Sequence, residues 1–124
     1  MKTSNFKLYK KPDGIAICLF PPASWTGQIF SQLAPSKQLF FDVKAKRITT
    51  EEYETRYKNE ILAKLDAATV YEHLKDNVLL CWEAPGEFCH RRIVAEWIKE
   101  KLDIEVPEWR REDDIVIDKH TPLF

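Results

Sequence analysis

The twelve residues from Cys81 to Arg92, Cys-Trp-Glu-Ala-Pro-Gly-Glu-Phe-Cys-His-Arg-Arg, hold two of the three cysteines, one of the three histidines, two arginines and two glutamates. Nucleophile, base, acid and anion-binding residue types therefore fall within one turn and its flanks. Cys89 is expected in the first turn of a helix, where unpaired backbone N–H groups and neighbouring cations favour thiolate over thiol. The same N–H groups, with Arg91, would hold a phosphate or carboxylate. Glu83 is placed to act as general acid or base, or to orient His90. These residues make a candidate site in which Cys89, His90 and Glu83 are catalytic and Arg91 binds an anion. Cys81 and Trp25 are possible additions.

An apolar run, Val78 to Glu83, reads as a strand ahead of this segment, and Pro85-Gly86 turns the chain out of it. Alternation places Leu80 and Trp82 on one face and Cys81 and Glu83 on the other. A helix from about Glu87 to Lys101 follows, with Ile93, Val94, Trp97, Ile98 and Leu102 as its apolar face. Cys89 aligns with Ile93 and Trp97, and His90 with Val94 and Ile98, so both point inward or along a crevice rim. Arg91, above Ala95, leans over the same rim. Arg92 aligns with Glu96 and reads as a solvated i,i+4 pair. Such a strand-to-helix junction is where ligands gather in open α/β sheets.

Upstream, Ser4 to Lys11 reads as a short helix capped by Ser4, and Gly14 to Phe20 as a buried strand closed by Pro21-Pro22. A short helix over Ser24 to Leu33 and a strand over Leu39 to Val43 are expected next. Thr49 or Thr50 opens a helix with Glu51 and Glu52 at its positive end and a stripe of Tyr53, Tyr57, Ile61, Leu62 and Leu65. Asp66 caps another helix carrying Val70, Tyr71 and Leu74, which Asn77 ends. Ile115-Val116-Ile117 suggests a late edge strand. Strands alternating with helices point to an α/β fold, a single small domain over residues 1–124 with a mainly parallel sheet flanked by helices.

Each chemical reading has a plainer counterpart. Cys81 sits mid-strand and suits a small core residue. His90 alone suits a structural hydrogen-bonding role, and Glu83 a cap for the next turn. Cys81, Cys89 and His90, with Glu83, are ligand types that zinc accepts, but they lack paired C-x2-C spacing, and no metal or other cofactor is expected. A Cys81–Cys89 redox pair needs a close Cβ approach that sequence does not establish. A Cys-x5-Arg loop, a Walker P-loop and a GxGxxG fingerprint are absent, and three glycines in all exclude a glycine-rich phosphate cradle.

Composition bounds the partners. A formal net charge of -1, from 19 basic and 20 acidic residues, argues against a sequence-indifferent nucleic-acid binder. A local patch from Lys44, Lys46 and Arg47, with Lys37 and Lys58, leaves nucleic acid as an unfavoured partner, and a solvated face is the simpler reading. The first residues lack a signal-peptide apolar region, and no run approaches the roughly 20 apolar residues needed to span a bilayer. An odd, sparse set of cysteines fits a reduced, cytoplasmic protein with no membrane association. Oligomeric state is not written in the sequence.

The run Leu79-Leu80-Cys81-Trp82-Glu83 with Pro85-Gly86-Glu87-Phe88-Cys89-His90-Arg91-Arg92, then Val94-Ala95-Glu96-Trp97, resembles the signature of the bacterial and phage domain-of-unknown-function 488 family. Thr3-Ser4-Asn5-Phe6, Pro21-Pro22-x-x-Trp25-x-Gly27, Leu33-Ala34-Pro35 and Tyr53-x-x-x-Tyr57 are also similar to short members. The resemblance implies a small α/β fold and a shared site of Cys81, Glu83, Cys89, His90 and Arg91, but it supplies no reaction.

Two functional classes follow. The first is a small enzyme acting on a small anionic ligand, phosphate- or nucleotide-like, through the Cys-His-Arg site, with Cys89 as nucleophile or polarising thiolate. The second is a non-catalytic module that binds an anion, nucleotide or nucleic acid, with structural cysteines. The tail Lys119 to Phe124 carries a weak likeness to peptides that dock on sliding clamps, without their glutamine and first leucine. Trp25, beside Pro22 and Gly27, is the loop aromatic best placed to line a pocket.

Overall fold

The computed structural model describes residues 1–84 and 86–111. The expected strand at Ile115-Val116-Ile117 and the tail motif lie outside the described residues. Four strands, β1 (Lys2–Asn5), β2 (Gly14–Ala16), β3 (Gln28–Ile29) and β4 (Val78–Cys81), form a parallel sheet in the order β1-β4-β2-β3. The helices are α1 (Lys37–Lys44), α2 (Thr50–Glu60), α3 (Ala67–Leu74) and α4 (His90–Leu102). This is the α/β architecture with a parallel sheet that alternating strands and helices lead one to expect.

β4 lies between β1 and β2, with Val78 opposite Lys2 on one side and Gly14 on the other. Because all three strands run the same way, Asn5, Ala16 and Cys81 end at one edge, and the loops leaving that edge build the site. Gly14 lets β2 approach closely, since a Cβ there would lie 2.7 Å from Leu80 Cδ1. Alternation sends Leu79 and Leu80 to opposite faces. Leu79 joins Ile15, Leu74, Val94 and Ile98 in the core under the helices. Leu80 joins Phe6, Tyr9, Ala16 and Trp109 in a second cluster, where aromatic loops cover the sheet.

Local chemistry explains the helices that the sequence announces. Thr49 caps α2 with a reciprocal box: Glu52 N–H donates to Thr49 Oγ1 at 3.1 Å, and Thr49 N–H donates to Glu52 Oε1 at 3.0 Å. The Asp66 side chain caps α3 by accepting from Thr69 N–H at 2.9 Å. The expected apolar stripe continues past α2, with Leu62 in a 3-10 turn (Leu62–Lys64).

Several expectations are corrected. Ser4 caps no helix, because Lys2–Asn5 pairs with β4 as a strand and Asn5 Oδ1 accepts the Leu8 N–H at 2.9 Å, turning the chain. The Gly14–Phe20 strand stops at Ala16. The Ser24–Leu33 segment is no helix: it holds β3 and a 3-10 turn at Ser31–Leu33. Leu39–Val43 belongs to α1, not to a strand. Ser36 accepts the Leu39 N–H at 3.1 Å, and this cap behind Pro35 outweighs the β-like run of apolar residues. The last helix begins at His90 rather than near Glu87, because Gly86 turns at φ +87° and Cys89 is still extended.

The Thr49 cap yields a direct expectation. Replacing Thr49 with Ala should lower stability by about 1 kcal/mol, read as an earlier midpoint of urea unfolding with an unchanged slope.

Candidate functional site

The strand β4 delivers Cys81 to the carboxyl edge of the sheet, and the chain returns eight residues later at Cys89, the N-cap of α4. The two sulfurs are joined in a disulfide. The expectation of reduced cysteines is therefore corrected for this pair, while Cys18 remains a thiol. Neither sulfur of the disulfide is a thiolate, so nucleophilic chemistry at Cys89 requires its reduced form.

His90 follows Cys89 directly and is buried. Its Nε2 lies 2.8 Å from the Ile17 carbonyl oxygen. A carbonyl only accepts, so Nε2 carries the proton and Nδ1 presents a lone pair. That lone pair faces Cys89 Sγ at 3.9 Å. Burial is the main cause that pulls the imidazole below its ordinary pKa, against the Ile17 bond and the charge of Glu83. His90 is thus a neutral base aimed at a sulfur.

Arg91 was expected on the crevice rim as an anion holder. It is instead 1% exposed and does not line the pocket. Its Nε and Nη2 donate to the two carboxylate oxygens of Glu108 at 3.1 and 2.7 Å, a bidentate pair. Nη1 donates to the Glu83 carbonyl at 2.8 Å and to Cys81 Sγ at 3.0 Å. A guanidinium so engaged has no fork left for a ligand. Arg92 is corrected too: it leaves Glu96 and donates from Nη1 to Thr3 Oγ1 at 2.8 Å and to the Val106 carbonyl at 2.9 Å. Arg91 fastens the segment after α4 to the end of β4, and Arg92 fastens it to β1, where Thr3 bridges Glu108 and Trp109 N–H donates to the Thr3 carbonyl. Glu108 escaped sequence reasoning. The only signal was an arginine one turn into an apolar helix, which demands a carboxylate partner if it is buried.

The disulfide and His90 lie in the wall of a cavity of about 460 Å³, lined also by Cys18, Phe20, Phe40, Lys44, Tyr53, Trp82, Glu83 and Phe88. All three cysteines thus line one space. Burial, with Glu83 adding, pushes the Cys18 thiol up to about 11, so it stays protonated near neutrality. Burial also raises Tyr53, with Glu83 again contributing. The aromatic wall is ordered: Trp82 Nε1 donates to the Phe20 carbonyl at 2.7 Å, Phe20 meets Phe40 edge-to-face at 5.4 Å, and Phe88 meets Tyr53 at 5.3 Å. Lys44 reaches Glu83 at 3.5 Å. Asp42, two residues before Lys44 at the end of α1, accepts from Arg56 of α2 at 2.9 Å and so ties α1 to α2.

Glu83 sits in the pocket wall, with its carbonyl clamped by Arg91 and by Asn5 Nδ2 at 3.1 Å. Trp25 does not reach this pocket. It packs on Phe6 at 5.1 Å and lines a separate groove with Lys7, Lys10 and Lys11. Of the basic residues considered for a patch, Arg47 pairs with Asp42, Lys58 with Glu54, and Lys44 turns to the pocket. Cys81 Sγ, Cys89 Sγ and a His90 ring nitrogen lie within 4.8 Å of one another. Zinc takes thiolate sulfur, so while the disulfide stands only the His90 lone pair is available as a donor. Among the described residues no helix is long and apolar enough to cross a membrane.

Two measurements test this arrangement. Glu108→Ala strands a buried guanidinium and should cost about 3 kcal/mol, visible in thermal melts. His90 binds its proton less tightly folded than unfolded, so its contribution to stability is complete above the unfolded value near 6.5 and is lost as pH falls below it. His90→Gln, which keeps a donor for the Ile17 carbonyl, should flatten the dependence of melting temperature on pH below 6.5; an unchanged slope would assign that dependence to other groups.

A family model described as the active DUF488-N3 subclade matches residues 7–102. No curated protein and no solved structure matches the chain.

Proposed function

The chain belongs to the DUF488 family, and from that premise we propose that it is a thiol-dependent enzyme acting on a small, flat, negatively charged ligand of nucleotide-like character. One observation carries the reading: the Ile17 carbonyl fixes the proton on His90 Nε2, leaving Nδ1 as a base 3.9 Å from Cys89 Sγ. In the reduced protein Nδ1 takes the Cys89 proton, and the resulting thiolate attacks from the cavity wall. Glu83 lines the same cavity and serves as a second proton carrier.

The ligand class follows from the walls. Phe20, Phe40, Trp82 and Phe88 offer ring faces and edges, which suit a flat ring more than a bare anion. Lys44, 55% exposed and shared with Glu83, supplies the cationic contact that Arg91 does not. A non-catalytic binding module is the second reading, and the disulfide is what favours it, since joined sulfurs are structural.

Alkylation of the reduced protein with iodoacetamide separates the two. Cys89 should react at least about tenfold faster than Cys18, whose thiol stays protonated. Because burial holds His90 below its ordinary range, that advantage should persist down to pH 6.5 and fade only at lower pH. His90→Gln should remove most of it, and a saturating nucleoside monophosphate should protect Cys89. Equal rates at Cys89 and Cys18 would leave the binding module standing.

A further inference from the structure

We propose that the pair works as an attacking and a resolving cysteine, Cys89 first and Cys81 second, so that the site carries out two-electron reduction of a small aromatic disulfide and ends each cycle in the bond seen here. This rests on the reading of Cys89 as nucleophile and adds the reaction class.

The two sulfurs share one cavity but have opposite surroundings. Cys89 Sγ faces the base Nδ1 of His90 and lies at the start of α4, where the chain enters from the loop. Cys81 Sγ lies at the end of a central strand, 1% exposed as a residue, and receives an N–H from Arg91 at 3.0 Å. Glu108 holds that guanidinium bidentately, so the donor cannot swing away. A fixed cationic donor favours negative charge on the sulfur it touches, and this sulfur does not need a base. The geometry thus provides proton removal at Cys89 and charge stabilisation at Cys81, which are the separate needs of an attacking thiol and a resolving thiolate.

The chemistry balances without a cofactor. Starting from the dithiol, the Cys89 proton moves to His90 Nδ1 and the Cys89 sulfur attacks one sulfur of the substrate disulfide. A mixed disulfide forms, and the first substrate thiolate leaves, taking the proton from His90. The Cys81 thiolate, its proton released to solvent, then attacks Cys89 Sγ and expels the second substrate thiolate, which protonates from solvent. The enzyme loses two electrons and gains one S–S bond, while the substrate disulfide becomes two thiols. A dithiol reductant of low molecular weight returns the enzyme to its starting state by the reverse exchange. Cys18, also on the cavity wall, stays a protonated bystander because its burial disfavours thiolate.

The test uses the full chain, pre-reduced with a dithiol and freed of it, with dithiobis(nitrobenzoic acid) as the probe. That reagent is a carboxylate-bearing aromatic disulfide of the class proposed. Wild type should release two thionitrobenzoates per chain in quick succession, retain no label at either Cys81 or Cys89, and re-form the bond between them. Cys81→Ser should release one and keep the other on Cys89, located by peptide mass spectrometry. Cys89→Ser should leave Cys81 labelled at least about tenfold more slowly, since Cys81 is buried at the end of its strand and only 1% exposed. Arg91→Lys should slow the second release about tenfold more than the first, since Nη1 touches Cys81 Sγ and not Cys89 Sγ. Wild type serves as its own control if a variant does not fold: acid quenching between the two releases should trap label on Cys89 alone. Trapped label on Cys81, or a stable wild-type adduct on Cys89 with no second release, would overturn the order proposed. The latter result leaves Cys89 a nucleophile and removes only the resolving step. No faster label at Cys89 than at Cys18 would sink both readings together.

Discussion

The buried pair of Arg91 and Glu108 is the contact through which the other parts of the site are held in register. Isolated, a guanidinium that is 1% exposed would cost several kcal/mol. Paired bidentately it becomes a rigid hub with four acceptors from three places in the chain. Glu108 anchors it to the segment beyond α4, the Glu83 carbonyl to the turn after β4, and Cys81 Sγ to the sheet edge itself. Arg92 repeats the theme one residue on, tying α4 to Thr3 and to the Val106 carbonyl. The N-terminal turn of α4 is therefore pinned from both sides, which fixes where Cys89 and His90 stand.

Parallel strands make that pinning useful. With β1, β4 and β2 running the same way, Asn5, Cys81 and the Ile17–Cys18 segment emerge at one edge. Asn5 braces the Glu83 carbonyl, Ile17 sets the tautomer of His90, and Cys18 lines the cavity. None of these residues is near the Cys81–Arg92 segment in sequence. The sheet brings them there because the βα loops of a parallel sheet share one end.

The cavity is built differently from the core. Helices α2, α3 and α4 cover the Leu79 face with interlocked aliphatic and aromatic side chains. At the sheet edge, ring contacts between Phe20, Phe40, Tyr53 and Phe88 form a wall open to ligand, with Lys44 and Glu83 beside it. Lys44 holds its position because α1 is tied to α2 through Asp42 and Arg56. Asp42's carboxyl is kept below its usual range by Arg56 first and Arg47 second. An ion pair remote from the disulfide thereby helps to set the shape of the cavity.

What the sequence determined by itself was local. The caps Thr49 and Asp66, the apolar run of β4, the stripe of α4 and the chemical density of Cys81–Arg92 all speak within a turn or two of helix or a few residues of strand. The short N-terminal strand and α1 misled because their decisive contacts are small: a strand pairing 76 residues away, as Lys2 with Val78, and a single Ser36 cap. Only the tertiary structure decided which residues of the dense segment line the cavity and which are tied into the framework around it. Arg91 left the list of anion binders once Glu108 closed on it, Trp25 packed elsewhere, and His90 became a base through the carbonyl of Ile17, 73 residues earlier. Periodicity and spacing report on neighbours along the chain, whereas the proton on a histidine and the partner of a buried arginine are set by whatever folding brings alongside them.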